Sequence, residues 1–297
     1  MTAIGKAAPD SAGLHAVDVA RAASTMAEDA LTWLRDGAAV RAHMGAHALP
    51  ERVARDGFVR LTSFLPKRVA EGCSAMLANH SDWEAMHYGE VADRSDSVQH
   101  QFAFSEPEDH PETLQLMASA VALCFKDLVP SFSVAKYGRG DCIAPHDDKA
   151  HVQVEPAGGG PAALHSRKYA AILYLSRGWK AKFGGALLDL EDRIEHVPSF
   201  NSMVVFAVPR MHAVAPVLVD RPRLSLFGWW LAPGKLYELD DAAEPEMVEE
   251  DTCADVDEIR RAQHAQARDR ARAPRRKPHE ARAGPRGLTK KARRSGR

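Results

Sequence analysis

Long apolar runs are missing from this sequence. Stretches such as Met203–Val208 fall far short of the roughly 20 residues that span a bilayer. The first residues, Met-Thr-Ala-Ile-Gly-Lys, hold no apolar segment of the secretory type, so no export signal is expected. Cysteine is scarce: Cys73, Cys124, Cys142 and Cys253 are scattered, with no Cys-x-x-Cys spacing. The pattern offers neither a zinc knot nor a disulfide framework, and it predicts reduced thiols in a cytoplasmic protein. There is no internal repeat. What is present is an ordinary globular composition over 297 residues, 45% hydrophobic and 27% charged, enough for one large domain with a real core.

The formal net charge of -1 conceals an asymmetry. Ala265 to Arg297 carry 13 Lys and Arg against two Asp and Glu, so this tail bears +11 and the rest of the chain -12. A like-charged block with Pro, Gly and few apolar residues cannot bury enough surface to fold, so the tail reads as disordered. It serves either as a polyanion-binding arm, for nucleic acid or ribosome, or as a solubilising extension.

Residues 1–50 are Ala-rich, and Val17, Ala20, Met26, Leu31 and Leu34 fall at roughly helical spacing, predicting a helix near 16–36. A short strand follows at Asp56-Gly-Phe-Val-Arg-Leu. A helix is expected from Ser63 to about Asn79 with Pro66 in its first turn, and another over Pro111–Phe125. From Ser131 the texture changes. Candidate strands are Phe132–Tyr137, Ile143–Asp148, Tyr169–Ser176, Gly185–Leu190, Ser202–Val208, His212–Val219 and Arg223–Leu231, separated by Gly- and Pro-bearing turns. Short strands without long helices between them predict an antiparallel sandwich or barrel, and helices first with strands after predicts helices buttressing one face. The expected organisation is a helical extension over 1–50, a folded domain over 51–260 with its β core at about 131–233, and the basic tail over 261–297.

His146 and Asp148 stand at i and i+2, the spacing that puts two side chains on one face of a strand. His212 opens a later strand and is the third candidate ligand. Two imidazoles and one carboxylate leave coordination positions open, the arrangement non-haem Fe(II) oxygenases use; a thiolate set would have pointed to zinc. Among 14 histidines a His-x-Asp arises readily by chance, and His80-Ser-Asp82, at a helix end, is a second one, read as a cap or surface pair. Arg223 alters the balance. It opens Arg-Leu-Ser-Leu-Phe-Gly-Trp-Trp-Leu, and on a strand it shares a face with Ser225, Phe227 and Trp229. An Arg at the head of an apolar strand is costly to bury without a partner, and a bidentate pair with a ligand carboxylate is one solution. An outward-facing Arg223 paired with the acidic stretch Glu238–Glu258 is the other. Arg221, beside Pro222 in the turn, is a weaker competitor for the role, and His151 a weaker competitor for the metal.

Several stretches together resemble one known family. Val134-Ala-Lys-Tyr-Gly-Arg-Gly-Asp-Cys-Ile-Ala-Pro-His-Asp-Asp is similar to the Tyr-x-x-Gly-Asp-x-x-x-x-His-x-Asp element of prolyl 4-hydroxylase-like Fe(II)/2-oxoglutarate-dependent oxygenases. Tyr169-Ala-Ala-Ile-Leu-Tyr-Leu-Ser-Arg-Gly-Trp resembles their Tyr-Leu-Asn-x-x-Trp strand, with Ser176 in place of the Asn. Phe183-Gly-Gly-Ala-Leu, His212-Ala-Val-Ala-Pro-Val and Arg223-Leu-Ser-Leu-Phe-Gly-Trp-Trp resemble the three elements that follow, and Phe58–Leu65 resembles the entry segment. The likeness runs from about residue 56 to 233. The segment from Lys149 to Lys168, with His151, His165 and Gly158-Gly-Gly, is longer than in compact members and reads as a loop beside the metal.

The resemblance implies an α+β fold that is mostly β, a double-stranded β-helix or jelly roll with N-terminal helices against it. It implies Fe(II) on His146, Asp148 and His212. It also implies that 2-oxoglutarate is a co-substrate whose distal carboxylate is held by Arg223 and Tyr174, with Tyr137 and Ser225 lining the same pocket. O2 is the oxidant and ascorbate an optional reductant. Read from the residues alone, Tyr174 would be a core tyrosine, Tyr137 a rim tyrosine and Gly184-Gly185 a tight turn. Halogenating relatives carry a small residue in place of Asp148, so hydroxylation is expected. The expected substrate is an amino-acid side chain in a protein or peptide, prolyl by family default. A free amino acid or natural product is one alternative, and a non-catalytic jelly-roll binding protein with a nucleic-acid-binding tail is another.

Overall fold

A computed structural model describes residues 25–86, 100–105, 111–156, 158–239, 256 and 258–265; the first part of the expected 16–36 helix, most of the acidic stretch and the basic tail beyond 265 lie outside them. Six helices and twelve strands are described. The helices are α1 (residues 25–35), α2 (Gly37–Ala46), α3 (Leu49–Asp56), α4 (Lys67–Asn79), α5 (Glu112–Ala122) and α6 (residues 258–265). The strands are β1 (Phe58–Leu61), β2 (Glu84–Met86), β3 (His100–Ser105), β4 (Val129–Tyr137), β5 (Cys142–His146), β6 (His151–Val154), β7 (Ala163–Tyr174), β8 (Leu187–Asp189), β9 (Ile194–His196), β10 (Ser202–Ala207), β11 (His212–Val214) and β12 (Arg223–Pro233).

The strands run in the order β1-β10-β7-β12-β4-β3 and then β3-β5-β11-β8-β9, every pairing antiparallel. β3 joins the two halves by pairing with both β4 and β5. Between β4 and β12 the chain passes back and forth from one half to the other, which is a jelly roll. Side-chain alternation sorts the strands into two layers. Leu173, Met203, Val205, Leu224, Leu226 and Trp230 pack with Leu34, Met44, Val53, Leu77, Leu114 and Met117 of α1–α5. Their neighbours Tyr174, Val204 and Phe206 face inward onto Leu187 of the opposite half, and Tyr137 meets Val214 in the same way. Val256 closes the outer side of the smaller half against Ala186, Leu188, Ala213 and Ala215.

Several elements differ from expectation. α4 starts at Lys67, because Pro66 sits in extended geometry (ψ 137°) as its N-cap rather than in its first turn. α2 lies in the expected helical extension but beyond its expected 16–36 helix, and α3 was not predicted; the Asp36 carboxylate starts α2 by accepting the N–H groups of Ala38 and Ala39. The expected loop 149–168 is instead a hairpin: β6 pairs with the start of β7. β2, β3 and β9 are further strands that the pattern did not show. Cys142 is disulfide-bonded, so the expectation of reduced thiols fails there, while Cys73 and Cys124 are free. No described helix is long and apolar enough to cross a membrane.

Candidate metal centre

β5 and β11 are antiparallel neighbours, and their register sets His146 directly opposite His212. The rings lie 4.1 Å apart, tilted by 52°. Asp148 does not reach them along the pleat: β5 ends at His146, and Asp148 adopts a left-handed conformation (φ 65°) just beyond it. That turn swings the carboxylate back, with Oδ1 3.5 Å from His146 Nε2 and Oδ2 3.6 Å from His212 Nε2. One donor atom from each residue lies within 4.8 Å of the others, the one such cluster of three among the described residues. A left-handed Asp costs about 1–3 kcal/mol of strain, the kind of cost that persists where the surroundings force it.

Each imidazole is oriented from behind. His146 Nδ1 donates to the Ala144 carbonyl at 2.8 Å and His212 Nδ1 to the Arg210 carbonyl at 2.7 Å. With Nδ1 carrying the proton, Nε2 presents a lone pair toward Asp148, the tautomer metal ligation needs. Electrostatics agree for His212. Burial and the neighbouring His146 hold the His212 pKa down at about 4, keeping the ring neutral. Burial alone would lower the His146 pKa as well, but the hydrogen bond and charge of Asp148 outweigh it and the net shift is upward. Burial opposes ionisation of Asp148, and the two histidines and Arg167 overcome it, holding the carboxyl well below its usual range. A charged carboxylate with two imidazole lone pairs is a mixed nitrogen–oxygen donor set that fits Fe(II).

Beside this cluster lies a second polar group. Arg223 faces Tyr137 across the β12–β4 register, and Ser225 faces Tyr174 across β12–β7. Arg223 is 1% exposed, its guanidinium 4.4 Å from the Tyr137 ring and 5.0 Å from the Tyr174 ring. Burial pushes the Tyr137 hydroxyl up to about 12, against the charge of Arg223 and a hydrogen bond with it. Arg223 Nε and Nη1, Tyr174 Oη and Ser225 Oγ are buried without a hydrogen-bond partner. Four orphaned polar atoms around one buried cation are costly to leave so, and a carboxylate would satisfy them. The residues therefore fit an acidic co-substrate as well as a metal. The two groups share one interior: His212 packs on Phe206 at 4.8 Å, and Phe206 belongs to the same cluster as Tyr174.

Gly184 and Gly185 make room for this arrangement. A Cβ on Gly184 would meet the Pro216 carbonyl at 2.0 Å, and one on Gly185 would meet Arg223 Cδ at 2.9 Å. The competitors lie elsewhere. Arg221 is exposed and donates to the Arg177 carbonyl. His151 stacks on Tyr237 and engages its carbonyl at 3.1 Å. His80 is the C-cap of α4, with Nε2 on Ser105 Oγ. Sequence reasoning passed over Arg167, whose guanidinium stacks on Trp229 at 3.5 Å and lies 3.8 Å from Asp148 Oδ1, and also the pair Asp189 and Arg210. Of these only Asp189 left a trace, as an acidic residue on an apolar strand.

Residues 132–231 match the model of the 2OG-Fe(II) oxygenase superfamily, a stretch that contains His146, Asp148 and His212 of the metal cluster and Arg223, Tyr137, Tyr174 and Ser225 beside it. Prolyl 3-hydroxylase OGFOD1 of Xenopus laevis is 34% identical over 110 residues, 33% of this chain and 19% of that one; the chain thus spans about a fifth of the length of this curated relative. Among solved structures, a prolyl-4-hydroxylase of Pseudomonas putida is 22% identical, covering 64% of this chain and 99% of that one at a TM-score of 0.46. An oxidoreductase of the 2OG-Fe(II) oxygenase family from Burkholderia pseudomallei is 16% identical, covering 63% and 90% at a TM-score of 0.42.

Proposed function

We propose that this chain, matched over residues 132–231 by the 2OG-Fe(II) oxygenase superfamily, is an Fe(II)- and 2-oxoglutarate-dependent hydroxylase of an amino-acid side chain in a protein or peptide, with proline the first residue to test. One observation carries the reading: a three-residue metal-ligand cluster shares an interior with a buried guanidinium that lacks an acid. The prolyl hydroxylases among its relatives supply the choice of proline. Iron(II) with 2-oxoglutarate and O2 supplies the oxidising power for an unactivated C–H bond, giving succinate and CO2 as co-products.

The protein's part is placement. His146 and His212 hold their Nε2 lone pairs on the metal because Nδ1–H of each is committed to a backbone carbonyl. Asp148 contributes the negative charge. Arg223 grips the far carboxylate of the co-substrate, with Tyr174, Tyr137 and Ser225 completing its polar lining. The apolar inner faces of β7, β10 and β12 keep water from the rest of the cavity.

The test is direct. The full chain is incubated with Fe(II), 2-oxoglutarate, ascorbate as reductant and a panel of proline-containing peptides and free amino acids. Succinate release should accompany a gain of one oxygen in a peptide, read by mass spectrometry. Asp148→Ala and His212→Ala should each abolish both signals. Turnover at the parent rate in both variants would mean the ligand set is wrong. Oxygen gained by a free amino acid and by no peptide would move the reading to a small-molecule hydroxylase.

A further inference from the structure

Behind the metal centre lies an ion cluster that the chemistry above does not use. Arg210 stands in the connection from β10 to β11, two residues before His212. Its guanidinium forks onto the Asp189 carboxylate at the end of β8, with Nε at 3.2 Å and Nη2 at 2.6 Å from Oδ2. Nη2 also donates to Asp192 Oδ2 at 2.5 Å, and Nη1 lies 3.5 Å from Glu191 Oε2. Asp189 has its other oxygen, Oδ1, filled by the N–H groups of Glu191 and Asp192 at 3.1 and 3.2 Å. The two side chains are only 11% and 2% exposed. Burying two charges in this way gives little net stability on average, so the question is what the pair holds in place.

It holds the backbone of Arg210. The carbonyl of that residue accepts the Nδ1–H of His212 at 2.7 Å. Its N–H donates to the carbonyl of Asp147 at 3.3 Å, and Asp147 sits between the other two ligands. One residue therefore touches both ligand-bearing segments through its main chain. The next residue, Met211, is tied to the same turn: its N–H donates to Glu191 Oε1 at 3.1 Å and its carbonyl accepts from Leu190 N–H at 3.0 Å.

We propose that Arg210 and Asp189 are positioning residues for the metal centre. Their ion pair fixes the Arg210 carbonyl, which selects the His212 tautomer with Nε2 free and sets the plane of the ring. The proposal rests on the metal-centre reading and deepens it. A histidine ligand is oriented by whatever its second nitrogen donates to, and loss of such support costs typically about 10- to 100-fold in metal affinity.

The experiment uses the full chain stripped of metal and titrated with Mn(II), free Mn(II) being read by electron paramagnetic resonance. Asp189→Asn and Arg210→Met should raise the Mn(II) dissociation constant by about 10-fold or more. Arg210→Lys keeps the charge but loses the fork, so it should fall between parent and Arg210→Met; it is also the variant to read if the other two do not fold. The Co(II)-loaded forms should show a changed visible absorption spectrum, since ring reorientation alters the ligand field. Glu195→Gln is the control. It breaks the pair with Arg260, 2.8 Å apart and 12–14% exposed, on a strand of the same half-barrel and without contact to a ligand. It should lower the melting temperature and leave Mn(II) binding unchanged. Dissociation constants within about twofold of the parent in the Asp189 and Arg210 variants, or an equal loss in Glu195→Gln, would overturn the proposal. A parent that binds no Mn(II), or binds it undiminished after His212→Ala, would instead remove the metal-centre reading and this proposal with it.

Discussion

Arg223 is a full positive charge taken out of water, and among the described residues no carboxylate lies within ion-pair range of it. Two of its donors, and the hydroxyls of Tyr174 and Ser225 beside it, point at nothing. If 2-oxoglutarate is the missing acid, removing the guanidinium strips one partner from a buried charge pair, a loss of about 2–5 kcal/mol. Arg223→Ala should then raise the 2-oxoglutarate KM by about 30-fold or more. It should also cancel the rise in melting temperature that 2-oxoglutarate gives the parent, since ligand stabilisation follows affinity. An unchanged KM would take the anchor role from Arg223. At this scale the sequence was readable where chemistry demands a residue type: two imidazoles, a carboxylate and an arginine heading an apolar strand. The reason given for His146 and Asp148 did not hold, because a backbone turned to φ 65°, not the strand pleat, brings the carboxylate to the ring. The pairing of Arg210 with Asp189 was not readable, since nothing in spacing marks an ion pair between residues 21 apart whose effect passes through a carbonyl.

Elements show how the anchor is built. The segment Gly184-Gly185 precedes β8 and runs under Arg223, with both residues at positive φ (72° and 66°). The two glycines do different jobs. A Cβ on Gly184 would strike backbone at 2.0 Å, so the chain itself would have to move. A Cβ on Gly185 would press on the Arg223 stem at 2.9 Å and on Val217 Cγ2 at 3.1 Å. Overpacking of this kind costs about 1–3 kcal/mol. Gly185→Ala should therefore weaken 2-oxoglutarate binding by about 5- to 150-fold and leave Mn(II) affinity nearly unchanged, as thermal-shift titrations of each ligand would read. An equal loss for both ligands would mean the turn supports the whole core and not the anchor. Of the strands that bear the site, β7 and β12 were legible because Tyr169–Tyr174 and Arg223–Leu231 are largely apolar or aromatic and bounded by turns. β9, three residues long, carries too little pattern. The β6–β7 hairpin hides behind Gly158-Gly-Gly-Pro; Tyr237 clamps its base, its hydroxyl bonded to the carbonyls of Ala150 and Arg167 at 3.0 and 2.9 Å, a contact 70 to 87 residues away in sequence. Within α2, only Val40 and Met44 are buried, among Ala, Gly and His, too thin a stripe to announce a helix.

At the scale of the whole molecule the charge is divided, +11 in the last 33 residues and -12 in the rest. The site residues lie within 132–231. α6 is tied to the smaller half-barrel: Arg260 and His264 both engage Glu195, and Gln263 donates to the Asp189 carbonyl at 3.4 Å. A cut after residue 265 therefore spares every contact seen to hold the core, and removes the basic segment alone. The expected result is a truncated protein with the parent's melting temperature and the parent's kcat and KM for 2-oxoglutarate. If the tail is a polyanion-binding arm, the full chain should bind a single-stranded RNA in an anisotropy titration, with log K falling against log salt at a slope of about -0.7 for each phosphate neutralised, and the truncated chain should lose that binding. Three other outcomes each have a physical meaning. Full RNA affinity after truncation would place the basic surface on the folded domain, against its negative balance. An absence of binding in both forms would leave the tail as a solubilising extension. A peptide KM that rises on truncation while the 2-oxoglutarate KM stays fixed would mean that the arm recruits an acidic substrate, because only long-range attraction, screened over about 8 Å at physiological salt, links it to a site whose own residues are intact.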